Sequence, residues 1–333
     1  MASTVYIDIR TTDPAFNLAL EQYVFDRMPR DRQYFLLWQN ENAVIIGKHQ
    51  NTLAEINESC VRERKIRVVR RLSGGGAVFH DLGNLNFTWI TDAEPDGAID
   101  LKRFCQPVAD VLTDLGAEAH VDGRNDILVD GRKISGNAQY VRQGRIMHHG
   151  TLLYDSDLTA LDGVLRADPG KLQGKGIRSV RSRVTTIRPY LRKDITIAEL
   201  KELLVERLFP DGDVTRYELT EEDIAAVEKL KQERYGTWEW NYGASPVGML
   251  IRKKRIEGCG TVEAHIGLEK GCITEIVFRG DFFSSVEPEE LVPLLVGLPL
   301  TEEALRPVLT SADVPSFFTG ATAEEILSLL CFD

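Results

Sequence analysis

Two tight turns close together constrain this chain more than any other feature. ILV (127–129) runs into Asp130-Gly131, then KISGNAQYV (133–141), then Gln143-Gly144, then IMHHGTLLY (146–154). Asp-Gly between apolar runs predicts a hairpin, because both central residues must take positive φ. Gln143-Gly144 predicts a second reversal. Further short apolar runs read as strands at 5–9 (VYIDI), 34–38 (YFLLW), 43–46 (AVII), 66–70 (IRVVR) and 85–90 (LNFTWI). Regular βαβ alternation is missing, which disfavours a doubly wound dinucleotide fold. The expected class is α/β (α+β), with mixed, antiparallel-rich sheets.

Helices are expected from Asp13-Pro14, over 100–115 despite Pro107, at about 196–207, and over 221–234 behind the capping box Thr220-x-x-Asp223. WEWNYG (238–243) and Ser245-Pro246 read as a domain boundary. Beyond it, strands at 247–251, 260–269 and 272–279 and helices at 287–297, 301–309 and 322–331 predict a small α+β C-terminal domain. The expected division is 1–245 and 246–333.

The chain of 333 residues carries a net charge of −11, which argues against a nucleic-acid partner. The charge is uneven: residues 1–193 hold 27 Lys+Arg against 24 Asp+Glu, and residues 194–333 hold 13 against 27. A site for a polyanionic small molecule therefore belongs in the first part. No secretory leader is visible, and no apolar run approaches the roughly 20 residues of a membrane helix, so a cytoplasmic protein is expected. The five cysteines form no C-x-x-C pair, so neither a disulfide framework nor a zinc site is expected.

Chemistry concentrates in three segments. RRLSGGGAVFHDLGNLNF (70–87) places Ser73-Gly74-Gly75-Gly76 after a strand and behind Arg70 and Arg71. Bare amides and guanidinium forks suit an anion; a tight turn with solvated arginines fits the residues equally well. Neither G-x-x-x-x-G-K-[ST] nor G-x-G-x-x-G is present, since Phe79 stands where the last glycine should be. In GRNDILVDGRKISG (123–136), the hairpin brings Asp126 and Lys133 side by side. The carboxylate suits Mg²⁺ and the lysine suits charge developing on a phosphate or carbonyl oxygen; the alternative is a solvated hairpin.

His148 and His149 are adjacent on a strand and point to opposite faces, which predicts one packed and one site-facing imidazole rather than a metal pair. His80-Asp81 reads as loop-stabilising. KLQGKGIRSVRSRV (171–184) is a basic loop, either solvated or a lid over phosphates.

Taken in order, RRLSGGGAVFHDLGNLNF, GRNDI…GRKISGNAQ…HHGTLL and KGIRSVRSRV resemble the lipoate–protein ligase family, and WEWNYG onward resembles its accessory domain. Leu72 and Thr186 are small departures. The resemblance implies the biotin/lipoate ligase type of fold. It implies lipoate, ATP and Mg²⁺, with a lysine acceptor on the lipoyl domains of 2-oxoacid dehydrogenase E2 subunits and the glycine-cleavage H protein. It implies that Arg70, Ser73, Gly74, Gly75 and His149 bind lipoate. Arg71, Gly76, Ala77, Val78, Phe79, Asp126, Lys175, Val180 and Arg183 are implied to bind ATP or the adenylate. Lys133 is the implied catalytic residue, touching both acyl carbonyl and α-phosphate, and Asp126 the implied metal ligand. The nearest rival is an ATP-independent octanoyl or lipoyl transferase, some of which use a cysteine nucleophile; no cysteine lies in 123–154. A non-catalytic lipoyl-binding module and a biotin ligase fit less well.

Overall fold

A computed structural model of the chain describes residues 3–50, 52–93, 100–123, 125–165, 183–242, 250–269 and 272–331. Its strands are β1 (Ser3–Asp8), β2 (Arg32–Trp38), β3 (Ala43–Ile46), β4 (Arg67–Arg70), β5 (Val78–His80), β6 (Asn84–Asp92), β7 (Ala119–Asp122), β8 (Asp126–Val129), β9 (Arg132–Arg142), β10 (Arg145–Leu153), β11 (Val214–Arg216), β12 (Leu250–Ile256), β13 (Gly260–Glu269) and β14 (Cys272–Gly280).

Both turns form as the sequence predicts. Asp130 and Gly131 have φ of 52° and 66°, and Gln143 and Gly144 have 51° and 70°. They join β8, β9 and β10 into the antiparallel part of an eight-stranded sheet of order β11-β1-β2-β6-β10-β9-β8-β7. Only β1 runs parallel to its neighbours, β2 and β11. Period-two alternation buries both faces. Tyr6, Phe35, Phe87 and Ile146 pack with the helices Lys102–Asp114 and Ile197–Leu208, whereas Ile7, Leu36, Ile90 and Met147 pack with the helix Pro14–Arg27. A second sheet, β4-β3-β5, lies beside the first. The third, β12-β13-β14, builds the C-terminal core with the helices Glu302–Ser311 and Ala323–Cys331. No helix of the described residues is long and apolar enough to cross a membrane.

Several expectations change. Pro107 stays inside its helix because it sits on the exposed face, where the carbonyl it leaves unbonded can meet water. The Glu221–Leu230 helix carries its capping box and continues as one π-helical stretch, Lys231–Tyr235. The expected helix over 287–297 splits into Pro288–Glu290 and Val292–Leu295, since Pro288 and Pro293 each open a new turn. Of the strand expected at 247–251, residues 247–249 lie outside the described ones; the described strand Leu250–Ile256 runs on past 251, and its alternating exposure and four basic residues suit a sheet edge.

Trp238–Asn241 is a helix, and Asn241 accepts the Arg70 backbone N–H at 2.9 Å. The boundary expected at 245/246 lies outside the described residues, as do Lys175, Val180 and most of the basic loop.

Candidate functional site

Between the eight-stranded sheet and the β4-β3-β5 sheet lies a pocket with about 140 Å³ open to a water-sized sphere. Its floor crosses the strands at Trp38, Asn86, Gly150 and Asn137, on β2, β6, β10 and β9 in turn. Three strand spacings span about 14 Å. Lys133 stands at one end and Trp38 at the other.

The glycine loop forms the roof. Gly75 has φ of 89°, and its N–H donates to the Phe282 carbonyl at 3.3 Å. A Cβ on Gly74 would overlap that carbonyl, and one on Gly47 would overlap the Gly75 carbonyl. The triplet therefore serves a close three-way approach of backbones, one of them from the C-terminal unit. That unit also docks through the Lys48–Glu287 ion pair and through His49, which stacks on Phe282 at 4.5 Å.

The two arginines part company. Arg71, buried, donates to the carbonyls of Ile45, Gly74 and Gly76 and to Ser73 Oγ, so it clamps the loop while lining the pocket. Arg70 does not reach the pocket. It donates to the carbonyls of Trp240, Gly47, Lys48, Gln50 and Asn241 and to Thr52 Oγ1. Burial pulls Arg70 down to about 9 and Arg71 to about 10, which leaves both charged at neutral pH.

Behind the loop runs a buried chain of hydrogen bonds. Arg71 Nε donates to Ser73 Oγ at 3.0 Å, Ser73 Oγ lies 2.6 Å from His149 Nε2, and His149 Nδ1 lies 3.0 Å from Glu21 Oε1. Thr88 Oγ1 donates to the same carboxylate at 2.5 Å and accepts Trp38 Nε1–H at 2.9 Å. Glu21, 1 % exposed, balances the Arg71 charge. This chain holds Ser73, so its hydroxyl faces His149 and not the pocket. His149 keeps a pocket-lining position with both nitrogens engaged.

Lys133 is placed by a bulge. Ile127 pairs with Ser135 but Leu128 pairs with Lys133, so Ile134 is an extra residue on β9. Its backbone is held on both sides: Lys133 N–H donates to the Arg183 carbonyl and Thr185 N–H to the Lys133 carbonyl, each at 2.9 Å. Arg183 thus sits where the basic loop returns to the site. Lys133 Nζ pairs with Asp126 Oδ1 at 2.6 Å, and a Cβ on Gly136 would come within 2.9 Å of Nζ.

Of the expected site residues, Lys133, Arg71, Gly75, Gly76, Ala77, Val78 and His149 line the pocket. Gly74 and Ser73 lie behind the loop. Phe79 turns the other way, into the core of the β4-β3-β5 sheet, because strand alternation sends only Val78 and His80 inward. Among the described residues no cluster of three or more His, Cys, Asp or Glu could hold a metal.

Sequence reading missed Glu21 and Trp38 and assigned His80 to the loop. The signal for Glu21 is that it is the one charged residue inside PAFNLALEQYVF, a mostly apolar helix. Cys105 is fully buried, 3.8 Å from His148 Nε2, and burial pushes its thiol up to about 12.

Residues 13–209 match the family model described as the lipoyl protein ligase A/B catalytic domain, and 245–330 that of the bacterial lipoate protein ligase C-terminus. The chain is 43% identical over 321 residues to the lipoate-protein ligase LplJ of Bacillus subtilis, covering 96% of this chain and 97% of that one. It is 39% identical over 319 residues to lipoate–protein ligase 1 of Staphylococcus aureus, with coverage of 96% and 97%. Among solved structures, P. falciparum LipL1 in complex with lipoate shares the fold at a TM-score of 0.81 and 22% identity, covering 98% of this chain and 99% of that one. The bi-partite lipoate protein ligase of Thermoplasma acidophilum, described with its E2 lipoyl domain, superposes at 0.64 and 26% identity, covering 74% and 100%.

Proposed function

Because this chain belongs to the lipoate–protein ligase family, we infer that the pocket holds lipoate with its carboxylate at Lys133 and its ring toward Trp38. The enzyme activates lipoate with ATP and passes the lipoyl group to a lysine of a lipoyl carrier domain. The observation that carries the residue assignment is the placement of Lys133: a fixed cation at one end of a cleft long enough for a medium-chain acid, with Leu18, Trp38, Ile45, Ala77 and Val78 among its walls.

Two steps follow. A carboxylate oxygen of lipoate attacks the α-phosphorus of ATP and pyrophosphate leaves. The acceptor amine then attacks the lipoyl carbonyl carbon and AMP leaves. In both steps negative charge develops within reach of the Lys133 ammonium, which a preorganised cation stabilises. No protein nucleophile is needed, which suits a site whose nearest cysteine, Cys105, is a buried thiol outside the pocket. Arg71 shapes the roof and lends it positive charge. Ala77 and Val78 wall the nucleotide side, and Lys175, Val180 and Arg183 complete the adenylate site from the basic loop. Asp126 would carry Mg²⁺ together with the ATP phosphates, since Mg²⁺ commonly takes one or two carboxylates beside phosphate oxygens; bound there, it would neutralise the leaving pyrophosphate.

E2 lipoyl domains and the glycine-cleavage H protein are the proposed acceptors, and the cytoplasm the proposed compartment. Residues 1–245 form the proposed catalytic domain and 246–333 the accessory domain. The test is lipoate-dependent ATP–pyrophosphate exchange followed by lipoylation of an E2 lipoyl domain. Transfer from an octanoylated carrier without ATP would instead make the protein an acyltransferase.

A further inference from the structure

Two histidines line the pocket, and they differ in what their nitrogens have left to offer. Both His149 nitrogens are engaged, by Glu21 and Ser73. His80, 3 % exposed, has Nδ1 at 3.1 Å from Asn40 Nδ2. Asn40 Oδ1 accepts from Asn17 Nδ2 at 3.0 Å, so the amide turns its NH₂ toward the ring. Nδ1 is therefore the acceptor, and the proton of the neutral ring sits on Nε2. Burial, then the nearby Arg71 and His149, push His80 down to about 3, so the ring is neutral at physiological pH. Nε2 is buried and has no partner among the described residues.

An orphaned buried donor is rare and costly, and on a pocket wall it calls for an acceptor on the ligand. The position says which ligand atoms those are. His80 stands edge-on to Trp38, with ring centroids 6.3 Å apart, at the end of the cleft away from Lys133. With the carboxylate at Lys133, the atoms that reach His80 belong to the distal ring. We propose that His80 is a specificity-determining residue whose Nε2–H donates to a dithiolane sulfur of lipoate. Octanoate ends in a methyl group and leaves that N–H unpaired. Sulfur is a weak acceptor, so the discrimination is about tenfold and not the far larger factor of an oxygen acceptor. The neighbouring Asp81 does serve the loop, accepting N–H bonds from Gly83 at 2.9 Å and Asp157 at 2.6 Å.

The inference rests on the ligase reading, and the test separates the two. ATP–pyrophosphate exchange is measured with lipoate and with octanoate for the wild type and His80→Leu. The expected result is a fall of about tenfold in the lipoate-to-octanoate ratio of kcat/KM, carried by a raised KM for lipoate. An unchanged lipoate-to-octanoate ratio in an active variant overturns this proposal alone. A wild type inert toward both acids overturns the ligase reading with it. Since His80→Leu also strips Asn40 of its acceptor and can disturb folding, the unmodified protein supplies a second readout. In histidine-¹⁵N NMR, lipoate shifts the His80 Nε2 resonance and slows exchange of its proton, and octanoate does neither. An equal response to both acids overturns the proposal.

Discussion

Lys133 meets its carboxylate across a bulge, and its backbone N–H and carbonyl are both held by the returning end of the basic loop. Replacing it with alanine removes a charge from a side chain that is one-third exposed, so the fold should tolerate the change. Exchange activity should fall at least about 10²-fold with the melting temperature within a degree or two of wild type. A K133A enzyme of normal activity would remove the lysine from the mechanism. Gly75→Ala tests the roof. Its φ of 89° penalises any side chain, and a Cβ would lie 3.0 Å from Arg71 Nη2. A loss of about 1–3 kcal/mol of stability, together with a raised KM for lipoate, is expected from chemical denaturation and kinetics. The triplet and its arginines were legible as residues that need one another. Which arginine faces the ligand was not, because adjacent guanidinium groups look alike until the carbonyls around each are known. Nor could sequence show that Gly74 is required by Phe282, a residue far away along the chain.

The helix Pro14–Arg27 and its capping show the same division among elements. Asp13 and Pro14 announce its start, and Asp13 does cap it. Its end is made by a residue far away in sequence. Arg145, 1 % exposed, donates to the carbonyls of Val24, Phe25, Met28 and Pro29 from the first position of β10. These are the groups a helix leaves unbonded, at the pole where a cation is favoured. Arg145→Met should therefore lower stability by about 3 kcal/mol in urea titration, with kcat/KM for lipoate little changed in the folded fraction. The turns at 130–131 and 143–144 were readable because positive φ at two successive positions has a residue signature. β7 (AHVD) was not, since so short and polar a run carries neither an apolar stretch nor a period, whereas the equally short β3 (AVII) shows as a continuous apolar run.

Across the whole molecule, three buried imidazoles give stability a pH dependence of definite sign. Burial holds His49 and His148 well below the usual value of 6.5, and His80 at about 3. All three are neutral when folded and take up protons on unfolding once the pH drops below about 6.5. Stability is thus fully present above that pH and falls as the solution is acidified, by up to about 4 kcal/mol per pH unit near pH 5. Carboxylates held low by their partners, such as Asp13, Asp223 and Glu263, add losses only below their unfolded values of about 4. Calorimetry between pH 7 and 5 should show the slope, and His148→Phe should remove about a third of it. A melting temperature flat over that range would contradict the burial of these rings.

The N–H of Gly75 ends on the carbonyl of Phe282, and an amide hydrogen can serve one strong acceptor at a time. An anion that claimed it would compete with the C-terminal unit for the same atom. Reciprocity then demands that whatever factor the acyl substrate imposes on the attachment of that unit, the unit imposes on the substrate's affinity. Vitamin capture and the grip between the two halves are one linked equilibrium, and neither can be tuned without moving the other.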